Sequence, residues 1–167
     1  MKLIMKDKVP ARVSWAVVSS PVGKLIVGLT DKQEICRLSF LRHRKSADVI
    51  SEWRHEWPRT AFVRGTKLEK LTKLPIAMVG TAFQHSVWRV MAKIPSGSVT
   101  TYGEIAHYIG NPKASRAVGA ACGANPVPYL VPCHRVVAAN GGLGGFSGGL
   151  EVKKALLKVE GFLLKQA

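Results

Sequence analysis

A cysteine and a histidine stand next to each other in the segment VPCHRV, residues 131–136, and apolar residues flank the pair. Thiolate is the reactive form of cysteine, and an imidazole is one of the few side chains that can favour it at neutral pH. Neighbouring side chains of an extended strand point to opposite faces, so the pair can cooperate only if the chain turns sharply at Cys133 or a water bridges the two groups. The segment predicts a buried nucleophile, with an inert core cysteine as the alternative.

A glycine-rich loop follows this pair. Six of the ten residues from 140 to 149 are glycine, which suits a loop whose backbone must approach a ligand. The loop lacks the Gly-x-x-x-x-Gly-Lys pattern of a phosphate-binding loop. A helix is predicted next, from Leu150 to Glu160. Its spacing predicts four residues that face inward: Val152, Ala155, Leu156 and Val159.

Two capping boxes lie on the N-terminal side of the cysteine. Thr81 is followed by Gln84 and Thr101 by Glu104, a spacing at which each member of the pair can bond the backbone of the other. A helix is therefore predicted after each threonine, and the second one runs over residues 102–109. Between this region and Cys133, residues 129–131 are predicted to form a short strand, and residues 136–139 a strand that leaves the cysteine.

A helix-turn-helix is predicted before the cysteine. Asn111 and Pro112 have the types found at the N-cap and first position of a helix, which would reach about Gly123. With the preceding helix and its tight turn, this is the helix-turn-helix pattern. One face of the new helix is a packing face of small residues, and the other, the bare face, has a single long side chain. The packing face is Ala114, Ala117, Val118 and Ala121, and the bare face is Arg116, Gly119, Ala120 and Gly123.

The bare face has two interpretations. Small residues would allow close packing against a neighbouring element, or they would allow the helix to press into a nucleic-acid groove, with Arg116 as the one side chain able to enter. The chain has 25 Lys and Arg against 10 Asp and Glu, a net charge of +15. An excess of this size points to a polyanionic partner, usually nucleic acid, and favours the second interpretation.

The N-terminal half has a different pattern. Residues 1–12 are basic and aperiodic, so we expect a poorly ordered lead-in. One helix with buried tryptophans is predicted before Pro58, and residues 59–79 are predicted to be an irregular connector. Alternating apolar residues predict three strands of a small antiparallel meander, over residues 13–20, 25–29 and 35–40.

These patterns predict an α/β (α+β) protein of two lobes. Residues 1–79 would form the small antiparallel sheet with one helix and the connector. Residues 80–167 would form a mostly helical lobe with a winged-helix-like helix-turn-helix and the reactive cysteine. Cys36, Cys122 and Cys133 lack metal-type spacing, so we expect free thiols in a reducing compartment and no metal site. No apolar run approaches the roughly 20 residues that span a bilayer, and no membrane association is expected.

Several of these motifs occur together in one known family. The segment PCHRV at 132–136, the pair Asn125-Pro126 and the segment SRAVG at 115–119 resemble the O6-alkylguanine-DNA alkyltransferases. The resemblance runs from about Thr81 to Gly161. In the first lobe, the segment SPVG at 20–23 is similar to an early hairpin of that family.

The resemblance implies direct repair of alkylated DNA without a cofactor. The alkyl group of O6-alkylguanine, or of O4-alkylthymine, would move to Cys133, and each protein molecule would act once because water does not cleave a thioether. His134 and Glu160 would form a relay that deprotonates the thiol through a water. Tyr102 would donate a hydrogen bond to the departing guanine, and Asn125 would brace the turn around the cysteine.

The resemblance also implies contacts with double-stranded DNA that carries an alkylated guanine. Arg116 would enter the base stack from the minor groove while the damaged base flips out, and main-chain groups of Cys133, Val136 and Ser147 would read the guanine edge. Phe146 stands where the family often has tyrosine, which removes one possible hydrogen bond to the substrate. The expected substrate and DNA contacts are Ser115, Arg116, Ala117, Gly119, Ala120, Arg135, Val136, Phe146 and Ser147.

Three other functions are consistent with parts of the pattern. A non-enzymatic relative that binds and flips alkylguanine would lack the acceptor cysteine, so Cys133 argues against it. A winged-helix regulator with a structural cysteine would require a specific operator sequence, and a Cys-His hydrolase would turn over. The alkyltransferase is expected to be a monomer in the cytoplasm, associated with the nucleoid, or in the nucleus of a eukaryote.

Overall fold

The computed structural model describes residues 1–65, 68 and 71–162. The chain divides into two compact units, Met1–Gly80 and Thr81–Ala167. No helix within the described residues has both the length and the apolar composition needed to cross a membrane. The predicted fold class, a sheet lobe followed by a mostly helical lobe, is confirmed.

Within its described residues, the first unit is a six-stranded sheet with one long helix. Its elements in chain order are β1 (Leu3–Lys6), β2 (Arg12–Ser20), β3 (Gly23–Leu29), β4 (Ile35–Phe40), α1 (Ser46–Glu56), β5 (Ala61–Arg64), a 3₁₀ turn (Leu71–Lys73) and β6 (Ile76–Val79). The strands lie in the order β1-β6-β4-β3-β2-β5. The antiparallel meander predicted from the sequence is the centre of this sheet, formed by β2, β3 and β4.

Two predictions about this unit are wrong. The expected disordered lead-in contains β1, and the expected irregular connector contains β5 and β6. Each of these strands pairs in parallel with a partner far away in the sequence: Leu3 lies opposite Ile76, and Arg12 lies opposite Ala61. Parallel pairs have no local turn that reveals them in a sequence, and each of the three strands is only four residues long.

The core of the first unit depends on close packing of α1 against the sheet. Val49, Ile50 and Trp53 recur on one face of this helix and are buried. A Cβ on Gly28 of β3 would lie 3.1 Å from Cζ3 of Trp53 and 2.7 Å from Cγ1 of Val13. Gly28 is therefore the residue that leaves room for the tryptophan ring.

The second unit contains four helices and a two-stranded sheet within its described residues. The elements are α2 (Ala82–Met91), β7 (Thr100–Thr101), α3 (Tyr102–Tyr108), α4 (Ser115–Gly123), a 3₁₀ turn (Cys133–Arg135), β8 (Val136–Val137) and α5 (Leu150–Val159). β7 and β8 pair in parallel. Both predicted capping boxes are confirmed: Gln84 N donates to Thr81 Oγ1 at 3.2 Å, and Glu104 N donates to Thr101 Oγ1 at 3.1 Å.

Three predictions in this unit are corrected. α4 begins at Ser115 with Ala114 as its N-cap, because the chain after Asn111 first makes a turn in which Ala114 N donates to the Asn111 carbonyl at 3.0 Å. Residues 129–131 form a turn rather than a strand, and Tyr129 has a φ of +77°. Only the first two residues of the expected strand 136–139 belong to β8.

Candidate active site

Cys133 begins the 3₁₀ turn that follows Pro132. The Asn125 side chain holds the segment that leads into this turn by two hydrogen bonds. Its amide nitrogen donates to the Val131 carbonyl at 2.8 Å, and its Oδ1 accepts from Val127 N at 3.0 Å. Asn125 is buried, so water competes poorly for these bonds. The chain thus turns sharply at the cysteine, which is one of the two arrangements that the sequence left open.

Burial controls the state of the Cys133 thiol. The residue is 4% exposed, and burial raises its pKa to about 11, against the opposing effects of a hydrogen bond with Asn125 and of the positive charge on Lys153. The resting group at neutral pH is therefore the protonated thiol. Formation of the thiolate requires a base close to the sulfur.

His134, the residue predicted to be that base, lies in the same turn as Cys133. The ring is completely buried, and its Nε2 lies 2.9 Å from Oε1 of Glu160. Burial lowers the pKa of His134, although Glu160 acts to raise it, so the ring is neutral at pH 7. Nε2 then carries the ring proton and donates a hydrogen bond to the Glu160 carboxylate, which leaves Nδ1 as the acceptor. Nδ1 is buried and forms no hydrogen bond to a described residue.

The Glu160 carboxylate accepts hydrogen bonds from two side chains, His134 and Arg135. Nε of Arg135 donates to Oε2 at 3.0 Å and Nη2 to Oε1 at 2.6 Å, while Nη1 donates to the Ile94 carbonyl at 2.6 Å. Burial acts to raise the pKa of Glu160, but the bonds from Arg135 and His134 outweigh it and the net shift is downward. The carboxylate therefore stays ionised and fixes the imidazole tautomer. The guanidinium of Arg135, which the sequence predicted to contact DNA, forms these bonds within the protein.

Tyr102, the first residue of α3, lies against the glycine-rich loop. A Cβ on Gly144 would lie 2.5 Å from the Tyr102 hydroxyl oxygen, and Gly144 has a φ of +69°. Only glycine fits this conformation at this separation. Burial and the Cys122 thiol raise the pKa of Tyr102, while a backbone hydrogen bond from Gly145 acts to lower it. The phenol therefore keeps its proton at neutral pH and can donate it.

The remaining predicted contacts of this pocket lie in β8 and the loop. The Phe146 ring meets the His134 ring edge-on, with centroids 6.4 Å apart. Ser147 is exposed in the loop. Val136 is buried, and its carbonyl accepts a hydrogen bond from Lys153 at 2.6 Å, which leaves one of its two lone pairs for a substrate.

α4 presents an exposed surface of small residues. Ser115, Arg116 and Ala120 are exposed, and Gly119 is half-buried. Ala117 is also exposed, which corrects its predicted place on the packing face; the residues of α4 that pack are Val118, Ala121 and Cys122. These three are buried because their side chains turn toward the neighbouring helices, and the Trp88 indole of α2 donates to the Ala121 carbonyl at 2.8 Å.

Internal packing does not account for the glycines of α4. A Cβ on Gly119 would meet Tyr102 Cδ1 at 3.9 Å, which is an ordinary contact, and a Cβ on Gly123 would meet nothing within 4 Å. Glycine in a helix costs about 1 kcal/mol relative to alanine. The interior of the described chain therefore does not require these two glycines.

Sequence reasoning missed Lys153 of α5. Val159, expected to face inward, is 63% exposed, whereas Lys153 is 0% exposed and Leu157 is buried beside it. The inward face of α5 is therefore rotated from the predicted one. The available signal was the apolar spacing of Val152, Leu156 and Leu157, which places residue 153 on the same face, but a lysine at such a position is normally assigned to the surface.

Comparisons with known proteins show the family to which this chain belongs. Residues 82–162 match the family described as 6-O-methylguanine DNA methyltransferase, DNA binding domain. The chain is 42% identical over 156 residues to the methylated-DNA–protein-cysteine methyltransferase of Methanosarcina acetivorans, which covers 88% of this chain and 97% of that protein.

Solved structures are similar over the same length. The crystal structure of the Mycobacterium tuberculosis O6-methylguanine methyltransferase has a TM-score of 0.69 and 32% identity, covering 89% of this chain and 92% of that one. The same M. tuberculosis protein in complex with DNA has a TM-score of 0.66 and 33% identity, with the same coverage.

Proposed function

Since the chain belongs to the methylated-DNA–protein-cysteine methyltransferase family, we propose that Cys133 is the residue that takes up the alkyl group. The protein is a methyltransferase that binds DNA and repairs it by direct transfer of an alkyl group to a protein cysteine. One observation supports the assignment to Cys133: the next residue of its turn is His134, whose neutral ring is hydrogen-bonded to the Glu160 carboxylate. Cys36 and Cys122 are buried thiols whose pKa burial raises to about 12.

The reaction that fits these groups is a displacement at carbon. His134 Nδ1 accepts the thiol proton through a bridging water, and Glu160 stabilises the imidazolium that results. The Cys133 sulfur then forms a bond to the alkyl carbon, while the bond between that carbon and O6 of guanine breaks and leaves its electron pair on the base. Tyr102 donates a hydrogen bond to the leaving guanine, whose developing negative charge it stabilises.

The substrate that this pocket suits is O6-alkylguanine in double-stranded DNA, with O4-alkylthymine as a second possible substrate. A base within the stack cannot reach a buried sulfur, so the lesion must flip out of the duplex. The small residues of α4 allow the helix to approach the minor groove, which is about 6 Å wide, and Arg116 fills the space left by the flipped base. The M. tuberculosis relative is known in complex with DNA.

The active form proposed for this protein is a monomer. All groups assigned to the transfer step lie in the second unit of one chain, between Tyr102 and Glu160. Its place of action is wherever the DNA lies, which is the nucleoid within the cytoplasm or the nucleus of a eukaryote.

Mass spectrometry tests whether Cys133 is the residue that accepts the alkyl group. Incubation with excess duplex DNA containing O6-methylguanine should add one methyl group per protein molecule, and peptide mapping should locate it on Cys133. Cys36→Ser should take up the same single group, whereas Cys133→Ser should take up none while still binding DNA. Repeated turnover, or a methyl group on Cys36 or Cys122, would contradict the proposal; binding without any uptake would favour a lesion-binding protein.

A further inference from the structure

A cavity in the first unit lies outside all the residues assigned to alkyl transfer. Its volume is about 210 Å³, and the described residues that line it belong to Met1–Gly80. This is the volume of about seven water molecules, at the roughly 30 Å³ that each occupies in the liquid. The cavity therefore has room for a single small ring with its substituents.

One wall of this cavity is the segment of residues 7–11, here called the strap. The strap leads from β1 to β2, so it must cross β6, β4 and β3, which lie between them in the sheet. Just before the strap, the Lys6 carbonyl accepts a hydrogen bond from Gly80 N at 3.0 Å. Near its other end, the Pro10 carbonyl accepts one from Thr60 Oγ1 at 2.7 Å. Both ends of the strap are thus fixed to the rest of the unit.

The hairpin between β3 and β4, residues 30–34, forms another wall. Thr30 Oγ1 donates to Glu34 Oε2 at 3.1 Å and accepts from Glu34 N at 3.2 Å. Lys6 Nζ donates to Glu34 Oε1 at 3.2 Å and so connects the end of β1 to this hairpin. Because hydrogen bonds within the protein hold both walls, a ligand would enter a cavity that is already formed.

Positive charge is concentrated around the cavity. Four of the eleven described residues that line it are Lys or Arg, against 25 of 167 in the whole chain. Lys6 is paired with Glu34. The other three are exposed and form no ion pair with a carboxylate of the described residues: Lys8, Arg12 and Lys32. Like charges that share one wall repel each other, so an anion between them would be stabilised.

The rest of the lining indicates what the anion would be attached to. Pro10, Ala11, Ala77 and Val79 supply apolar surface, and the exposed carboxylate of Asp31 is a hydrogen-bond acceptor. A sugar ring has apolar C–H groups for such a surface and hydroxyls that can donate to a carboxylate. A phosphate monoester carries a charge of about −1.5 to −2 at pH 7 and three acceptor oxygens, which suits three separate cationic donors.

We propose that this cavity is a binding site for a small sugar phosphate. The ring lies in the cavity with a hydroxyl donating to Asp31, and the phosphate accepts hydrogen bonds from Lys8, Arg12 and Lys32. The site goes beyond the proposed function, since it uses no residue of the alkyl-transfer reaction and does not depend on the role of Cys133.

Isothermal titration of the full chain with ribose 5-phosphate tests the proposal. We expect one site with a Kd of about 1 mM or tighter. Ribose and inorganic phosphate are the matched controls, and each should bind at least about tenfold more weakly because it makes only part of the contacts. Equal affinity for inorganic phosphate and ribose 5-phosphate would overturn the proposal, since the cations would then bind any phosphate without using the cavity.

Two variants locate the site. Lys8→Gln combined with Lys32→Gln removes two exposed charges and should weaken ribose 5-phosphate binding by about tenfold or more. Lys24→Gln is the control, because Lys24 is exposed on β3 and does not line the cavity; it should bind like the wild type. Ala11→Leu keeps every charge but narrows the cavity, so it should weaken binding of ribose 5-phosphate and not of inorganic phosphate. Wild-type affinity for ribose 5-phosphate in either the double variant or Ala11→Leu would overturn the proposal.

Undamaged duplex DNA distinguishes a free sugar phosphate from the sugar-phosphate backbone of nucleic acid. If the wild type bound no ribose 5-phosphate, and the double variant lost more duplex affinity than Lys24→Gln did, these cations would contact the DNA backbone and the proposal would be wrong. At saturating DNA, the double variant should still transfer the methyl group of O6-methylguanine to Cys133 at the wild-type rate. Failure of the wild type to take up that group would contradict the proposed function and leave the cavity site unaffected.

Discussion

The bare face of α4 and the pocket around Cys133 lie in the same unit but differ in construction. The α4 face is exposed, consists of small residues with one arginine, and is not required by packing. In the pocket, Asn125, Glu160 and Lys153 are each held by hydrogen bonds to other parts of the protein. The α4 face is proposed to contact DNA, whereas the site around Cys133 is held in place by bonds within the protein.

This difference implies that DNA handling and thiol chemistry can be separated experimentally. We expect that a free base such as O6-benzylguanine needs only the residues around Cys133, whereas an alkylguanine in duplex DNA needs the α4 face as well. The ratio of a variant's rate on the free base to its rate on duplex DNA therefore shows which of the two regions the substitution affects. Four substitutions, in order of expected effect, test the separation.

His134→Ala should have the largest effect. Loss of a general base typically costs about 10²–10⁴ in rate, and we expect this loss on the free base and on duplex DNA alike. Because the pKa of His134 is lowered, the wild-type rate should fall only as acidic solution protonates the ring, and this acidic limb should vanish in the variant. The measurement is the pH dependence of single-turnover transfer to Cys133.

The control for this variant is His107→Ala, since His107 is exposed on α3. It should transfer at the wild-type rate on both substrates. If His134→Ala kept the wild-type acidic limb, another group would be the base, and the proposed relay would be wrong.

Arg116→Ala should slow the reaction on duplex DNA only. A side chain that fills the stack offsets an unstacking cost of a few kcal/mol, and each 1.4 kcal/mol corresponds to about a factor of ten, so a loss of about tenfold to a thousandfold is expected. The free base should react at the wild-type rate. Lys113→Ala, which removes an equal charge from the exposed turn before α4, should weaken DNA binding modestly and leave the rate at saturating DNA unchanged.

An equal loss on both substrates in Arg116→Ala would mean that the arginine supports the fold or the thiol. The placement of DNA against α4 would then be wrong.

Gly144→Ala should disturb the position of Tyr102 beside the glycine-rich loop and leave the α4 face unchanged. The new Cβ would collide with the Tyr102 hydroxyl, and the positive φ would be strained by about 1–3 kcal/mol, so both substrates should slow by roughly 5- to 100-fold. Gly145→Ala is the control, because its Cβ would meet nothing within 4 Å. Comparable losses in both variants would show that the loop tolerates no side chain at all, and that contact with Tyr102 is not the reason.

Gly119→Glu should have the smallest effect of the four substitutions. It should leave the fold intact and weaken DNA binding to an extent that depends on salt. A Cβ at residue 119 would lie 3.9 Å from Tyr102 Cδ1, which is an ordinary van der Waals contact, so the fold should persist. Bulk and negative charge at a phosphate-lined groove should weaken duplex binding severalfold, more so at low salt where repulsion is least screened. Gly119→Gln has the same bulk without the charge, and its defect should not deepen as salt falls; if both variants bind like the wild type, α4 does not face the DNA.

Local signals in the sequence predicted much of this molecule correctly. The meander of β2, β3 and β4 follows from alternating apolar residues and tight turns, and the starts of α2 and α3 follow from two capping boxes. The family follows from short motifs in a fixed order. Each strand, turn, capping box and motif among these signals is a short run of neighbouring residues, so it can be recognised without knowledge of the contacts between distant segments.

Contacts between distant segments determined the rest. β1, β5 and β6 exist because they pair in parallel with strands far along the chain, and no local pattern records such a pairing. The cap of α4 moved from Asn111 to Ala114 because the turn between the helices uses the Asn111 carbonyl.

The chemistry of the site divides in the same way. The sequence by itself placed Cys133 next to His134 and supplied Glu160, Tyr102 and Asn125 through its motifs. Only the tertiary structure showed that Arg135 holds Glu160 and that the buried Lys153 binds three backbone carbonyls near the thiol. A buried charge is stable only where acceptors from separate segments converge on it, and that convergence is a property of the folded chain rather than of any stretch within it.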